Sequence, residues 1–106
     1  MAADIKAVNE IAKKYANDVR KTMPVDKAIL FGSYAKGTAD EQSDIDVCFF
    51  LPTFGDRQRM DVIYDLLKIS DESYKGIYFE PIAFPTSEIE RGNPFVKEVL
   101  STGVEI

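Results

Sequence analysis

The sequence predicts a small α/β (α+β) domain, with a mixed sheet of about three strands and helices packed on one face. Two observations predict this class. Apolar residues recur every three or four positions in the first twenty residues and again later in the chain, which is typical of amphipathic helices. Short apolar runs bounded by turn residues lie between these segments and are typical of strands. The chain has 106 residues, so we expect residues 1–106 to form a single domain with one modest core.

The N-terminal segment, residues 4–22, is predicted to be a helix. Asp4 is a suitable N-cap. Pro24 ends the helix near Thr22, because the residue before a proline disfavours the helical conformation. The spacing gives the helix one apolar stripe, which we expect to be buried: Ile5, Val8, Ile11, Tyr15 and Val19.

The first predicted strand, residues 27–31, stops abruptly at a glycine and a serine, which indicates a tight turn. Ser33 can cap a short helical turn whose free backbone N–H groups point outward. Such groups favour an anion, above all phosphate. Gly32 and Gly37 are both free to adopt a positive φ. Residues 32–38 are therefore a candidate phosphate-binding loop.

The second predicted strand, residues 44–51, carries two aspartates two positions apart. Because side chains alternate across a strand, Asp44 and Asp46 project from the same face. Paired carboxylates repel each other unless a cation lies between them, and oxygen-only ligands suit Mg²⁺, which also binds substrate phosphates. A phosphate loop beside such a pair indicates phosphoryl or nucleotidyl transfer. The alternative is that these are ordinary turn residues and solvated edge acids.

Two further segments complete the middle of the chain. Asp56 is predicted to cap a helix that runs to about Ile69. Its inward side is expected to hold four apolar residues: Met60, Ile63, Leu66 and Leu67. A third strand is predicted over residues 77–84.

Glu80 is an acid inside the apolar run of this third strand. Acids are rarely buried without a partner, and a metal shared with Asp44 and Asp46 would supply one. The alternative is that Glu80 pairs with a lysine at the edge of the sheet. Pro81 cannot donate a ladder hydrogen bond, which predicts an edge strand.

The C-terminal part of the chain contains further helix signals. Residues 87–90 have the spacing of a capping box. Asn93 and Pro94 suit the N-cap and first position of a final helix, and Gly103 suits its C-cap. Residues 104–106 are expected either to extend along a neighbour or to stay loose.

Composition excludes several kinds of chemistry. The chain has no histidine and one cysteine, Cys48, which removes catalytic triads, imidazole metal sites and an intramolecular disulfide. We expect Cys48 to be a buried filler. The net charge of −5 argues against strong non-specific binding to nucleic acid. No apolar stretch is long enough to span a membrane and no signal peptide is evident, so we expect a cytoplasmic protein.

The motif itself carries a family resemblance. Gly32-Ser33, Gly37 and the run Ser43-Asp44-Ile45-Asp46 resemble the signature of the polymerase-beta-like nucleotidyltransferases, and more narrowly their minimal nucleotidyltransferase domains. The resemblance covers residues 31–47 and extends weakly to the C-terminus. It implies a third carboxylate on the strand next to the Asp-x-Asp strand, where this sequence has glutamate instead of the commoner aspartate.

The motif and the resemblance together predict roles for six residues, although Lys36 could also be an exposed turn lysine with no specific role. Asp44, Asp46 and Glu80 would be the catalytic acids and the ligands of one or two Mg²⁺ ions. The nucleotide, ATP or another nucleoside triphosphate, would be bound by the remaining three: Gly32, Ser33 and Lys36.

The resemblance also implies a biological context. Many minimal nucleotidyltransferases are antitoxins that neutralise an all-helical HEPN-type ribonuclease toxin, by complex formation, by adenylylating one of its tyrosines, or both. The expected activity is transfer of AMP from ATP to such a hydroxyl. One alternative is a catalytically weak or idle binding module of the same fold. Another is a small-molecule nucleotidyltransferase of the aminoglycoside type, which would need a homodimer to complete its pocket.

Overall fold

The computed structural model describes residues 5–39 and 43–106. The predicted N-cap Asp4 lies outside these residues. The described helices are α1 (Ile5–Arg20), α2 (Ser33–Lys36), α3 (Arg59–Ser73), α4 (Ser87–Arg91) and α5 (Pro94–Thr102); the strands are β1 (Lys27–Phe31), β2 (Ile45–Leu51), β3 (Phe79–Pro85) and β4 (Val104–Glu105). None of these helices is long and apolar enough to cross a bilayer.

Over the described residues, the strands form one mixed sheet in the order β3-β2-β1-β4. β2 and β3 are parallel, whereas β1 is antiparallel to both β2 and β4. The predicted fold class is therefore confirmed. The sheet has four strands instead of about three, because the two residues of β4 pair with β1. A two-residue strand is too short to show a period in the sequence, so only the pairing reveals it.

The main core lies between one face of the sheet and helices α1 and α3. Tyr15 of α1 is fully buried and packs edge-on against Phe49 of β2, with ring centroids 5.6 Å apart. Its hydroxyl donates a hydrogen bond of 2.7 Å to the carbonyl oxygen of Leu66 in α3. One side chain thus joins both helices to the sheet.

A second cluster shows that the expectation of helices on one face alone was wrong. Val96 and Val99 of α5 pack on the opposite face of the sheet, against Ile29, Cys48 and Phe50. The alternating side chains of β2 are apolar on both faces in its second half, so both faces require a cover there. Burial also raises the pKa of the Cys48 thiol to about 12, as expected for a buried filler.

Helix α3 differs from its prediction at both ends. It begins at Arg59 after Gln58, which forms a capping box with Asp61, so Asp56 is not the cap. It also continues beyond Ile69 to Ser73. Gln58 lacks the short acceptor side chain that marks most N-caps in a sequence, whereas Asp56 has one.

The buried side of α3 also differs in part. Leu66 is buried as expected, but Met60 and Leu67 are 69% and 38% exposed. Apolar residues lie on several sides of this helix, and it is the stripe through Val62 and Leu66 that packs against the core.

Two predictions for the C-terminal half are confirmed, the edge position of β3 and the start of α5. β3, which contains Pro81, lies at an edge of the sheet. The Asn93 side chain accepts hydrogen bonds from the backbone of Phe95 at 2.9 Å and Val96 at 3.4 Å, with Pro94 at the start of α5. Asn93 and Pro94 therefore fix where α5 begins, and so decide which of its residues pack on the sheet.

Candidate active site

The bend after β1 places the chain against one acidic side chain. Gly32 has φ +75° and ψ −150°, a region that is essentially restricted to glycine. A Cβ built on Gly32 would overlap the Oδ2 atom of Asp46 and lie 3.0 Å from its Cγ atom. Glycine is therefore required here twice, once for the backbone conformation and once for the close approach to Asp46.

The short helix α2 follows this bend directly. Gly32 itself is the N-cap and no side chain caps the helix, so the predicted capping by Ser33 was wrong. The helix ends at Gly37, which has the predicted positive φ of +76°. The first backbone N–H groups of any helix have no acceptor within it. Since α2 has four residues, an anion here would be bound by individual N–H groups rather than by a long helix dipole.

Asp46 and Glu80 come together across the parallel strands. They are register partners in the β2–β3 pair, and their side chains are joined by a hydrogen bond. Asp46 is half-buried, whereas Glu80 is exposed. Asp44 lies just before β2, is exposed, and is near enough to act electrostatically on Asp46. The two strands therefore bring all three predicted acids to one end of the sheet.

The electrostatics of this cluster favour a cation. Partial burial, the hydrogen bond and negative charge of Glu80, and the charge of Asp44 together raise the pKa of Asp46 to about 7, and burial is the largest of these causes. A raised pKa means that the ionised form of Asp46 is destabilised by its surroundings. A bound cation would stabilise that ionised form and take the place of the proton.

The donor set suits a divalent ion, with one qualification from the geometry. Within residues 5–39 and 43–106, no three acidic or cysteine side chains form a ready-made group of metal ligands. Asp46 and Glu80 make direct contact, while Asp44 contributes through its charge. A carboxylate-only set fits Mg²⁺, which is bound by few carboxylates together with phosphate oxygens. The three-ligand metal site stays a prediction.

Lys36 points towards α5. Its Nζ atom lies 3.3 Å from the Oε1 atom of Glu98, and both side chains are about half exposed. This ion pair crosses a cleft of about 160 Å³ that begins at Phe31 and Gly32 and is bounded by Phe95 on α5. In the sequence, Phe31 lies in a predicted strand and Phe95 in a predicted helix. Their separation in the chain gave no signal that they meet.

A larger cavity, of about 440 Å³, lies elsewhere. It is lined by the segment after α1, which contains Met23, by the end of β2 and the loop after it, which contain Leu51 and Phe54, and by one side of α3. Asp46 and Leu51 are at opposite ends of β2, which places this cavity more than about 15 Å from the carboxylates. Size alone would therefore select a cavity that cannot contain the acidic cluster.

Comparison with known proteins decides the family. A protein-family model described as "Nucleotidyltransferase domain" matches residues 12–103, which is most of the chain. The chain belongs to the nucleotidyltransferase domain family. Nucleotidyl transfer is therefore the general class of activity that its membership supports, and members of the family typically use a nucleoside triphosphate and a divalent metal ion.

Two individual proteins are similar to this nucleotidyltransferase domain. A protein of Methanocaldococcus jannaschii named "Putative protein adenylyltransferase MJ0141" is 31% identical over 102 residues, covering 92% of this chain and 96% of that protein. The crystal structure of "a putative nucleotidyltransferase from Sulfolobus solfataricus" superposes with a TM-score of 0.69 at 20% identity, covering 95% of this chain and 80% of the other. At that identity the second likeness shows the fold alone.

Proposed function

We propose that this domain transfers AMP from ATP to a hydroxyl group on another protein, in a Mg²⁺-dependent reaction. The observation that carries the proposal is the contact between Asp46 and Glu80 at the end of the sheet where Gly32 also touches Asp46. This arrangement places acidic side chains beside backbone N–H groups. The acidic side chains suit a metal ion, and the N–H groups suit phosphate oxygens.

In the proposed reaction the acceptor oxygen attacks the α-phosphorus of ATP. A new phosphorus–oxygen bond forms, and the bond between the α-phosphorus and the oxygen bridging to the β-phosphate breaks, so that pyrophosphate leaves. A divalent ion held by Asp44, Asp46 and Glu80 would supply charge neutralisation at the α-phosphate. The acceptor's proton goes to a carboxylate, and Glu80 is suited to this step because it is exposed. The backbone at Gly32 and Ser33 binds the outer phosphates.

A protein acceptor is supported by the relative's name and by the exposure of the acidic side chains. The relative from Methanocaldococcus jannaschii is named for protein adenylylation. Glu80 and Asp44 are exposed, so the acidic end of the sheet is accessible to a large acceptor. We extend the proposal to a tyrosine of a HEPN-type helical protein, whose toxicity the modification would suppress.

The test is transfer of label from ATP labelled on its α-phosphate, with Mg²⁺ and the product of the adjacent gene as acceptor. Wild type is expected to label the acceptor and to release pyrophosphate. Asp46→Asn, which removes a charge from the Asp46–Glu80 pair, is expected to lower the rate by at least about 100-fold, as is common when a principal electrostatic group is lost. Asp56→Asn changes an exposed acid in the loop before α3 and is the matched control, with no expected change.

The outcomes separate this proposal from the binding module of the same fold. Tight association of the two proteins without label transfer would indicate an idle binding module. Equal labelling by wild type and Asp46→Asn would refute the role of the carboxylates. Labelling of a nucleoside or an aminoglycoside, but of no protein, would move the acceptor to the small-molecule class.

A further inference from the structure

One feature beside the acidic cluster has no role in the chemistry described above. The cleft of about 160 Å³ between β1, α2 and α5 begins at Gly32, the residue that touches Asp46. Its apolar wall is the ring of Phe95, which is 41% exposed. A large aromatic side chain left accessible beside a candidate phosphate loop is suited to stacking with another planar ring.

The ring of Phe95 is held in place by two other rings. The Phe31 ring meets it edge-on, with centroids 5.8 Å apart and an interplanar angle of 89°. The Phe84 ring lies against it at 5.8 Å and 40°. The Asn93 cap fixes the start of α5 two residues earlier. The Phe95 ring is therefore held rigidly, so stacking of a ligand ring on it would cost little conformational entropy.

Phe31 connects this surface to the acids. Its Cα atom is the register partner of Asp46 in the antiparallel β1–β2 pair, and opposed residues of such a pair lie on the same face of the sheet. Its ring contacts that of Phe95. The acidic cluster and the Gly32 bend therefore both lie next to the aromatic wall, so the base of a nucleotide can reach the Phe95 ring from an α-phosphate at the acids.

We infer that Phe95 is the platform on which the base of the bound nucleotide stacks, with the Lys36–Glu98 ion pair at the rim of the base pocket. This inference rests on the proposed function, since it places the base of the same nucleotide whose phosphates lie at Gly32. The apolar face of a nucleobase matches the Phe95 ring. Its polar edge matches a rim that offers one donor, the Lys36 ammonium, and one acceptor, the Glu98 carboxylate. Stacking recognises any base, so Phe95 supplies affinity, and the rim supplies discrimination between bases.

The experiment compares two ligands that differ in the base and sugar. Equilibrium binding of ATP and of inorganic tripolyphosphate is measured in Mg²⁺ for wild type, Phe95→Leu and Phe95→Trp. Phe95→Leu keeps an apolar side chain for packing and removes the flat ring. It is expected to weaken ATP binding by about tenfold or more, while tripolyphosphate binding stays unchanged. Phe95→Trp, which retains a ring, is expected to bind ATP at least as well as wild type.

A matched control and the contrary outcomes complete the test. Tyr64→Ala removes another exposed aromatic ring, 69% accessible on α3, and should leave both affinities unchanged. Unchanged ATP binding by Phe95→Leu would overturn the inference, and so would an equal loss for both ligands. If wild type bound neither ligand, the proposed function itself would fail. If wild type bound both and only the Phe95 effect were missing, the base platform alone would fail.

Discussion

Replacing Gly32 by alanine tests the geometry on which the candidate site depends. At φ +75° and ψ −150° a side chain strains the backbone by about 1–3 kcal/mol. The added Cβ would also overlap the Asp46 carboxylate, and such overpacking costs about 1–3 kcal/mol more. We therefore expect Gly32→Ala to lower the free energy of unfolding by about 2–6 kcal/mol, and to abolish nucleotide transfer because relieving the overlap moves the carboxylate.

Gly37→Ala is the matched control for this substitution. Gly37 has nearly the same φ, +76°, but its ψ of 18° is in the left-handed helical region, and nothing lies within 4 Å of an added Cβ. Its cost should be about 1 kcal/mol, from backbone strain alone. Urea unfolding followed by far-ultraviolet circular dichroism measures both variants, and the transfer assay compares their activities.

A double-mutant cycle isolates the contact with Asp46. In an Asp46→Ala background the overlapping carboxylate atoms are gone, so Gly32→Ala should cost at least about 1 kcal/mol less than it does in wild type. The reasoning is refuted if Gly32→Ala and Gly37→Ala destabilise the protein equally. It is also refuted if the cost of Gly32→Ala is the same with and without the Asp46 carboxylate.

Two further substitutions test the electrostatics and the core. Because the Asp46 pKa of about 7 lies above its ordinary 3.8, the folded chain retains a proton that the unfolded chain releases, and metal-free stability should fall as the pH rises from about 4 to 7. In Asp46→Asn this fall in stability should be smaller by about 1 kcal/mol, after allowing for solvent screening of a half-buried group. Thermal unfolding across that pH range measures it, and an unchanged fall would contradict the raised pKa of Asp46. Tyr15→Phe removes the buried hydrogen bond to Leu66 and should cost about 1–2 kcal/mol with no loss of nucleotide affinity. A denaturation midpoint within error of wild type would show that this bond contributes nothing.

Much of the candidate site could be predicted because its signals are local. Asp44 and Asp46 are two positions apart, so the alternation of a strand predicts that they share one face. Gly32 follows an apolar run, which marks the end of a strand. Asn93 and Pro94 mark the start of α5 by residue type alone. In each case the physical cause acts within a few residues, so the sequence records it.

Other features required the folded chain. That Gly32 touches Asp46, or that Lys36 meets Glu98, depends on how β1, β2 and α5 are arranged in space. The start of α3 was misplaced because Gln58 and Asp61 cap it through a reciprocal pair, which is a weaker signal in sequence than a lone aspartate.

The sequence by itself determined the fold class and the candidate site residues, since hydrophobic period, turn residues and the absence of histidine are properties of the chain. Only the tertiary structure decided that Glu80 is the register partner of Asp46 and that Phe95 lies beside the bend at Gly32. The physical reason is that pairing between strands and packing of a distant helix are set by the whole core. No short segment contains that information.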